Sequence, residues 1–120
     1  MVIAIDFDGT ITEQSFPEVG ALKKDADVYI RKLWSEGHAI VINTCRSGKY
    51  EGMAEDFLRA NDIPFSYINS NMPHLIVDYG QDCRKISADV YIDDRCLMGL
   101  PETWEEIYNM VQKINQKKIV

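Results

Sequence analysis

The chain has 120 residues, an apolar share of 46% and a formal net charge of −6. This length suits a single domain, whose core needs neither a disulfide nor a structural metal. The acidic balance argues against a general nucleic-acid binder, because phosphate backbones attract basic surfaces. No run approaches the ~18 apolar residues of a membrane helix, and no basic leader precedes the first apolar run, so we expect neither membrane insertion nor secretion.

Four short apolar runs predict strands, at Val2–Ile5, Ala39–Asn43, Phe65–Ile68 and Val90–Ile92. They are mostly continuous rather than alternating, as in strands covered on both faces. Residues at helical spacing predict helices at Asp25–Trp34, Tyr50–Ala60 and Thr103–Ile114. The first helix is expected to bury Val28, Leu33 and Trp34 and to end at Gly37. Leu75–Val77 is compatible with either a strand or a turn of helix.

Strands that alternate with helices predict an α/β fold, a single Rossmann-like three-layer domain over residues 1–120 with a parallel sheet. The predicted strand order is 3-2-1-4, so the chain reverses its direction of progress between strands 1 and 4. Ligands bind beyond the carboxyl ends of the strands at such a switch point. The residues that follow strands 1, 2 and 4 are Asp6-Phe7-Asp8-Gly9-Thr10, Thr44-Cys45-Arg46 and Asp93-Asp94-Arg95.

Four aspartates are thereby expected at one edge of the sheet: Asp6, Asp8, Asp93 and Asp94. Two carboxylates about 4 Å apart repel by about 4 kcal/mol at an effective dielectric constant of about 20, so the cluster needs a cation or a shared proton. Oxygen ligands of this kind suit Mg²⁺, which keeps several waters and meets substrate phosphates. Each pair alone also fits a plain turn or a solvated strand end, but together they predict a magnesium site.

Other chemistries fail on spacing or number. Cysteine-based phosphatases need an arginine at a fixed distance after the nucleophile, and the three cysteines have Glu51, Asp89 and Glu102 there. A phosphate loop needs a glycine where Asn43 stands. The cysteines are odd in number and lack Cys-x-x-C spacing, which predicts free thiols and a reducing, cytoplasmic location. They are Cys45, Cys83 and Cys96.

The segment Ile3-Ala4-Ile5-Asp6-Phe7-Asp8-Gly9-Thr10 resembles motif I of the haloacid dehalogenase (HAD) superfamily of phosphohydrolases. Thr44, after the second strand, resembles motif II, and Lys85 fits motif III. Tyr91-Ile92-Asp93-Asp94 resembles motif IV in its double-aspartate form. The four motifs follow the family order, so the resemblance spans residues 2–95.

The resemblance implies a role for each matching aspartate. Asp6 would attack phosphorus and form an aspartyl-phosphate. Asp8 would protonate the leaving oxygen and then deprotonate the attacking water. An aspartate at this position separates the family's phosphatases and phosphomutases from its dehalogenases and ATP-driven pumps. Mg²⁺ would be held by the Asp6 carboxylate, the Asp8 main-chain carbonyl and Asp93, while Asp94 would either bind the ion directly or orient its waters.

The resemblance also implies how the phosphate is held. Thr44 would donate its hydroxyl to a phosphoryl oxygen. Lys85 would neutralise the aspartates and stabilise developing charge, and Arg84 is the alternative cation for that role. Gly9 gives the backbone freedom to turn N–H groups towards the phosphate.

Three basic residues lie near the predicted rim, namely Arg46, Lys49 and Arg95. They are compatible with two roles, as ligands of a second phosphate or nucleotide and as solvated surface charges. Superfamily members often carry an inserted cap domain, but the gaps Ile11–Lys24 and Asn69–Arg84 are too short for one. The chain is therefore expected to be a capless member with an open site, which favours a bulky substrate or a homo-oligomer whose partner subunit serves as a lid.

The predicted function is a Mg²⁺-dependent phosphatase acting on a phosphorylated small molecule, nucleotide or bulky phosphoester, with no membrane partner. Nucleic acid is disfavoured as a partner, although phosphatases that trim polynucleotide ends share the Ile92-Asp93-Asp94-Arg95 form of motif IV. Two alternatives stay open. One is a phosphotransferase or phosphomutase of the same fold, since motifs do not separate water from another acceptor. The other is a non-catalytic phosphate-responsive binding protein like a response-regulator receiver. In that fold the acidic pair follows strand 1, whereas here a D-x-D follows strand 1 and the pair comes last.

Overall fold

A computed structural model describes residues 1–119 of the chain. Its strands are β1 (Val2–Ile5), β2 (Ala39–Ile42), β3 (Tyr67–Ile68) and β4 (Val90–Ile92). Its helices are α1 (Ala26–Ser35), α2 (Gly48–Ala60), α3 (Pro73–Tyr79) and α4 (Trp104–Ile119). The segment left open by the sequence pattern, at Leu75–Val77, is therefore helical and lies within α3. None of the helices of the described residues is long and apolar enough to cross a membrane.

The four strands form one parallel sheet in the order β3-β2-β1-β4, which confirms the predicted fold class and strand order. In the register, Ile5 of β1 pairs with Ile42 of β2 and with Ile92 of β4. The residues that follow these three positions therefore leave the sheet at one level and on one edge. That edge is the carboxyl end of the sheet, where the acidic residues were expected.

The two faces of the sheet are covered unequally. Alternate residues of β1 and β2 face a large core that also contains apolar residues of α1, α2 and α4. The opposite face carries Ala4 and Val41 and is covered by Ile86, with Met72 and Ala88 partly buried beside it. Helix α3 buries none of its residues. The structure thus has a thick apolar layer on one side of the sheet and a thin one on the other.

The prediction of which α1 residues are buried was wrong in part. Its buried residues are Ala26, Ile30 and Leu33, whereas Val28 is 46% and Trp34 is 41% exposed. Positions 26, 30 and 33 follow the spacing of one helical face, and the two exposed residues lie on other faces. The predicted end of the helix is confirmed, because Gly37 follows the helix in the left-handed conformation, with a φ of 94°.

The segment between β1 and α1 forms a short flap rather than a cap domain. Residues 11–24, which we call the flap, contain two backbone hydrogen bonds, from Glu13 N to Ala21 O (2.8 Å) and from Lys23 N to Ile11 O (2.9 Å). Thr12 and Leu22 form an antiparallel bridge at its base. A hairpin of this size covers part of a site without enclosing it.

Candidate functional site

Three of the four predicted aspartates converge at the carboxyl edge of the sheet. One carboxylate oxygen from each of Asp6, Asp93 and Asp94 lies within 4.8 Å of the others, and all three residues are partly buried. The backbone fixes this arrangement, because Asp6 N donates to Ile92 O (2.9 Å) where β1 and β4 end side by side. Three hard oxygen donors at this separation can hold a divalent cation such as Mg²⁺ or Ca²⁺.

Thr10 connects two of these aspartates. Its hydroxyl donates to Asp6 Oδ2 (3.0 Å) and accepts the backbone N–H of Asp94 (3.0 Å). The buried Trp104 at the start of α4 donates its indole N–H to the Thr10 carbonyl (3.1 Å). The sequence pattern included Thr10 in the first motif but assigned it no role. The structure shows it as the link between the acidic cluster and the helical layer.

The environment of Asp6 opposes its ionisation. Burial, which is the largest cause, and the nearby carboxylates of Asp94 and Asp93 together raise the pKa of Asp6 to about 7, although the hydrogen bond from Thr10 acts in the opposite direction. A cation between the three carboxylates would reverse the effect of these charges, because an opposite charge favours the ionised form.

The fourth aspartate, Asp8, faces a different partner. Its two carboxylate oxygens accept hydrogen bonds from Arg46, with Nε to Oδ2 at 2.7 Å and Nη2 to Oδ1 at 2.8 Å. This bidentate ion pair is largely removed from water, since the side chains are 1% and 13% exposed. The side chain of Asp8 therefore lies outside the three-aspartate cluster, although it lines the same pocket.

The position of Arg46 corrects the interpretation of this residue as a rim cation or substrate ligand. Its guanidinium also donates to the carbonyl oxygens of Pro17 (3.1 Å), Glu18 (2.7 Å) and Tyr50 (3.3 Å). With the two bonds to Asp8, each of its five N–H groups has a protein acceptor. The residue is buried because its acceptors surround it, so it has no donor left for a phosphate.

Thr44 lies in the pocket with its hydroxyl proton uncommitted among the described residues. Its hydroxyl oxygen accepts the Arg46 N–H (3.1 Å), and its own N–H donates to the Asn69 side chain (2.8 Å). The Asn69 amide in turn donates to the Arg46 carbonyl (3.2 Å). Asn69 follows β3 and has a φ of 54°. It thus holds the loop after β2 in place, a role that its isolated position in the sequence did not signal.

Lys85 and Arg84 are both exposed and lie outside the lining of the pocket. The Lys85 ammonium lies over an aromatic ring, 5.2 Å from the ring centroid of Tyr91. Tyr91 pairs with Ala4 in the sheet register, and Ala4 belongs to the thinly covered face. Within the described residues the structure shows no ion pair between Lys85 and the aspartates, so its predicted role stays a prediction.

The pocket that contains the acidic cluster has a volume of about 320 Å³. The flap contributes Gln14 and Phe16 to its wall, and neither was predicted from sequence. The exposed thiol of Cys45 and the side chain of Arg95 complete the rim. Of the predicted rim cations, Arg95 thus lines the pocket, whereas Lys49 lies outside its lining. The pocket combines an acidic floor, a hydroxyl group and a partly aromatic wall.

Comparison with protein-family models gives no match, and comparison with curated proteins gives none either. Among solved structures, a conserved protein from Bacteroides thetaiotaomicron is 34% identical to this chain with a TM-score of 0.85. The match covers 94% of this chain and 90% of that one. The fold and the acidic site define an α/β protein of Rossmann-like type. The chain belongs to the same family as the conserved Bacteroides protein.

Proposed function

We propose that the protein is a Mg²⁺-dependent phosphatase that hydrolyses a phosphate monoester through an aspartyl-phosphate on Asp6. The observation that carries the proposal is the convergence of Asp6, Asp93 and Asp94 within 4.8 Å at the floor of an open pocket. The order of the four sequence motifs, with an aspartate at position 8, supports the same function.

Asp6 is the nucleophile in the proposed reaction. Thr10 donates to its Oδ2, which leaves Oδ1 as the oxygen to attack phosphorus. The new bond joins this oxygen to phosphorus as the bond to the leaving oxygen breaks. Asp8 enters this step protonated on one of the two oxygens that Arg46 otherwise holds, and it gives that proton to the leaving oxygen. Asp8 then accepts a proton from the water that releases phosphate from Asp6. Each step needs both carboxylates in one pocket.

The donor set fits Mg²⁺, because the converging groups are all carboxylate oxygens and are partly exposed to solvent. Asp6, Asp93 and Asp94 would hold the ion. When bound, it would offset the charge on the phosphoryl oxygens and so allow an anionic nucleophile to approach an anionic substrate. Thr44 directs its free hydroxyl proton to a phosphoryl oxygen, and Lys85 is the proposed cation that stabilises the developing charge.

The proposed substrate is a phosphorylated small molecule, nucleotide or larger phosphoester, and the proposed location is the cytoplasm. The three cysteines are free thiols, as a reducing compartment would keep them. The open pocket is compatible with a homo-oligomer in which a second subunit covers it. Light scattering of the purified protein tests that association separately from the chemistry.

The experiment that tests the function is a screen of phosphate esters with Mg²⁺, followed by trapping of the phosphoenzyme. We expect release of inorganic phosphate and, by mass spectrometry, a phosphoryl group on Asp6. Asp6→Asn should abolish both, because its amide cannot attack. Asp56→Asn, on the exposed face of α2, is the matched control and should keep wild-type turnover. Wild-type turnover by Asp6→Asn would contradict the mechanism, and transfer only to a second substrate would favour a phosphotransferase.

A further inference from the structure

The most completely bonded side chain near the site is that of Arg46. It is 1% exposed, and its guanidinium makes five hydrogen bonds to groups from three parts of the chain. Two bonds go to Asp8, two go to flap carbonyls and one goes to the first turn of α2. A buried guanidinium is retained at a cost in desolvation that only well-formed bonds offset.

The tip of the flap contacts the guanidinium of Arg46. The carbonyl oxygens of Pro17 and Glu18 accept from the guanidinium, and the Phe16 ring centroid lies 5.1 Å from the guanidinium carbon. The same carbon is 5.4 Å from the centroid of the buried Phe7 ring. The flap tip is therefore held against the body of the protein by the same charged group that holds Asp8.

We infer that Arg46 is a positioning residue that couples the orientation of the Asp8 carboxylate to the closure of the flap. If the flap opens, the guanidinium loses two of its acceptors, so the two N–H groups that hold the Asp8 carboxylate are no longer fixed in place. If Asp8 is altered, the guanidinium loses its charged partner, so the flap tip is held less firmly. Such coupling is reciprocal, because each event changes the free energy of the other by the same amount.

The catalytic consequence rests on the proposed function, whereas the coupling itself does not. In the proposed reaction Asp8 transfers a proton to the leaving oxygen, and this step is sensitive to displacements of about 1 Å. A lysine in place of Arg46 keeps the charge but cannot form the planar, bidentate pair. Arg46→Lys is thus expected to misplace Asp8 while disturbing the buried charge as little as possible.

The test uses Arg46→Lys, Asp8→Asn and the double variant. Arg59→Lys is the control, since Arg59 pairs with Glu55 on the exposed face of α2. The first readout is hydrogen exchange at the flap amides of Glu13 and Lys23, which are bonded within the flap. Both Arg46→Lys and Asp8→Asn should accelerate that exchange, whereas Arg59→Lys should leave it unchanged. Unchanged flap exchange in Asp8→Asn would overturn the coupling, whether or not the protein cleaves any ester.

The second readout is turnover of two esters. The leaving group of p-nitrophenyl phosphate needs no proton, whereas the leaving group of an alkyl phosphate does. Arg46→Lys should lower kcat for the alkyl phosphate by about a hundredfold and lower it much less for the aryl ester. In the Asp8→Asn background, Arg46→Lys should lower kcat for the alkyl phosphate no further. A raised KM with unchanged kcat would indicate a substrate contact, and equal losses with both esters would indicate a merely structural role. Either result would overturn the inference.

If the wild-type protein cleaves no ester at all, the proposed function fails, and the exchange experiment still decides whether Arg46 couples Asp8 to the flap. Thermal melting of each variant accompanies both readouts. If Arg46→Lys does not fold, Asp8→Asn alone decides the coupling through flap exchange.

Discussion

Gly9 and Asp94 are packed so closely that no side chain fits between them. A β-carbon on Gly9 would lie 2.2 Å from Asp94 Oδ2 and 2.9 Å from its Cγ. Gly9 also has a φ of 84°, a conformation that other residues rarely adopt, and its carbonyl accepts from the Lys23 ammonium (2.6 Å). The glycine therefore allows one member of the acidic cluster to approach the loop after β1.

We predict that Gly9→Ala destabilises the protein and weakens its response to Mg²⁺. The positive φ alone costs about 1–2 kcal/mol, and the added methyl group must also displace the Asp94 carboxylate. Gly37→Ala separates the two effects, because Gly37 has a φ of 94° and a β-carbon there would meet nothing within 4 Å. Thermal melts with and without Mg²⁺ measure both variants. A normal Mg²⁺ response in Gly9→Ala would argue against Asp94 as part of the metal site.

We predict that Mg²⁺ raises the melting temperature, because it relieves repulsion among Asp6, Asp93 and Asp94. A ligand at a hundred times its dissociation constant adds about 2.7 kcal/mol to the free energy of unfolding. Asp93→Asn should lose this gain. Without Mg²⁺ the same variant should melt no lower than the wild type, because one repelling charge is gone. Asp56→Asn is the control, and an unchanged wild-type melt across a full titration would count against the site.

The sheet and its acidic edge could be predicted from sequence because they follow from local patterns. Continuous apolar runs define the strands, and the parallel register then brings the residues after Ile5 and Ile92 to one level. The position of each aspartate along its strand was therefore enough to place the cluster. Nothing about distant segments was needed.

The environment of Arg46 could not be predicted in this way. Its acceptors are supplied by Asp8, by two flap carbonyls and by Tyr50, and only the folded backbone brings these groups together. Main-chain carbonyls carry no signature in a sequence, so a buried arginine and a rim arginine look alike. The exposed position of Lys85 could not be predicted either, because the long connection before β4 shows no periodic pattern.

We predict a pH-dependent contribution from the ion pair of Asp89 and Lys118, which joins the start of β4 to the end of α4. The hydrogen bond from Lys118, with a second from the Val2 N–H, holds the pKa of Asp89 below its usual value. The contribution is therefore present above the unfolded-state pKa of about 3.9 and is lost as the pH falls through the lower, folded-state pKa.

Asp89→Asn should accordingly be less stable than the wild type at neutral pH, with a difference that shrinks as the pH falls below about 4. Urea unfolding at a series of pH values measures this difference. Asp56→Asn should show no comparable trend. A difference that is constant down to the acid limit would mean that the charge of Asp89 is not its source.

We predict that the two tryptophans differ sharply in their contribution to stability. Trp104 is 3% exposed and donates to the Thr10 carbonyl (3.1 Å), whereas Trp34 is 41% exposed. Trp104→Phe leaves that buried carbonyl without its donor, which costs about 1–3 kcal/mol. Trp34→Phe, the same substitution at a surface position, should change the free energy of unfolding by no more than about 0.5 kcal/mol. Because Thr10 also bonds to Asp6, Trp104→Phe should in addition raise the Mg²⁺ concentration needed for half of the thermal shift. Equal destabilisation by the two substitutions would contradict the packing of α4 against the loop after β1.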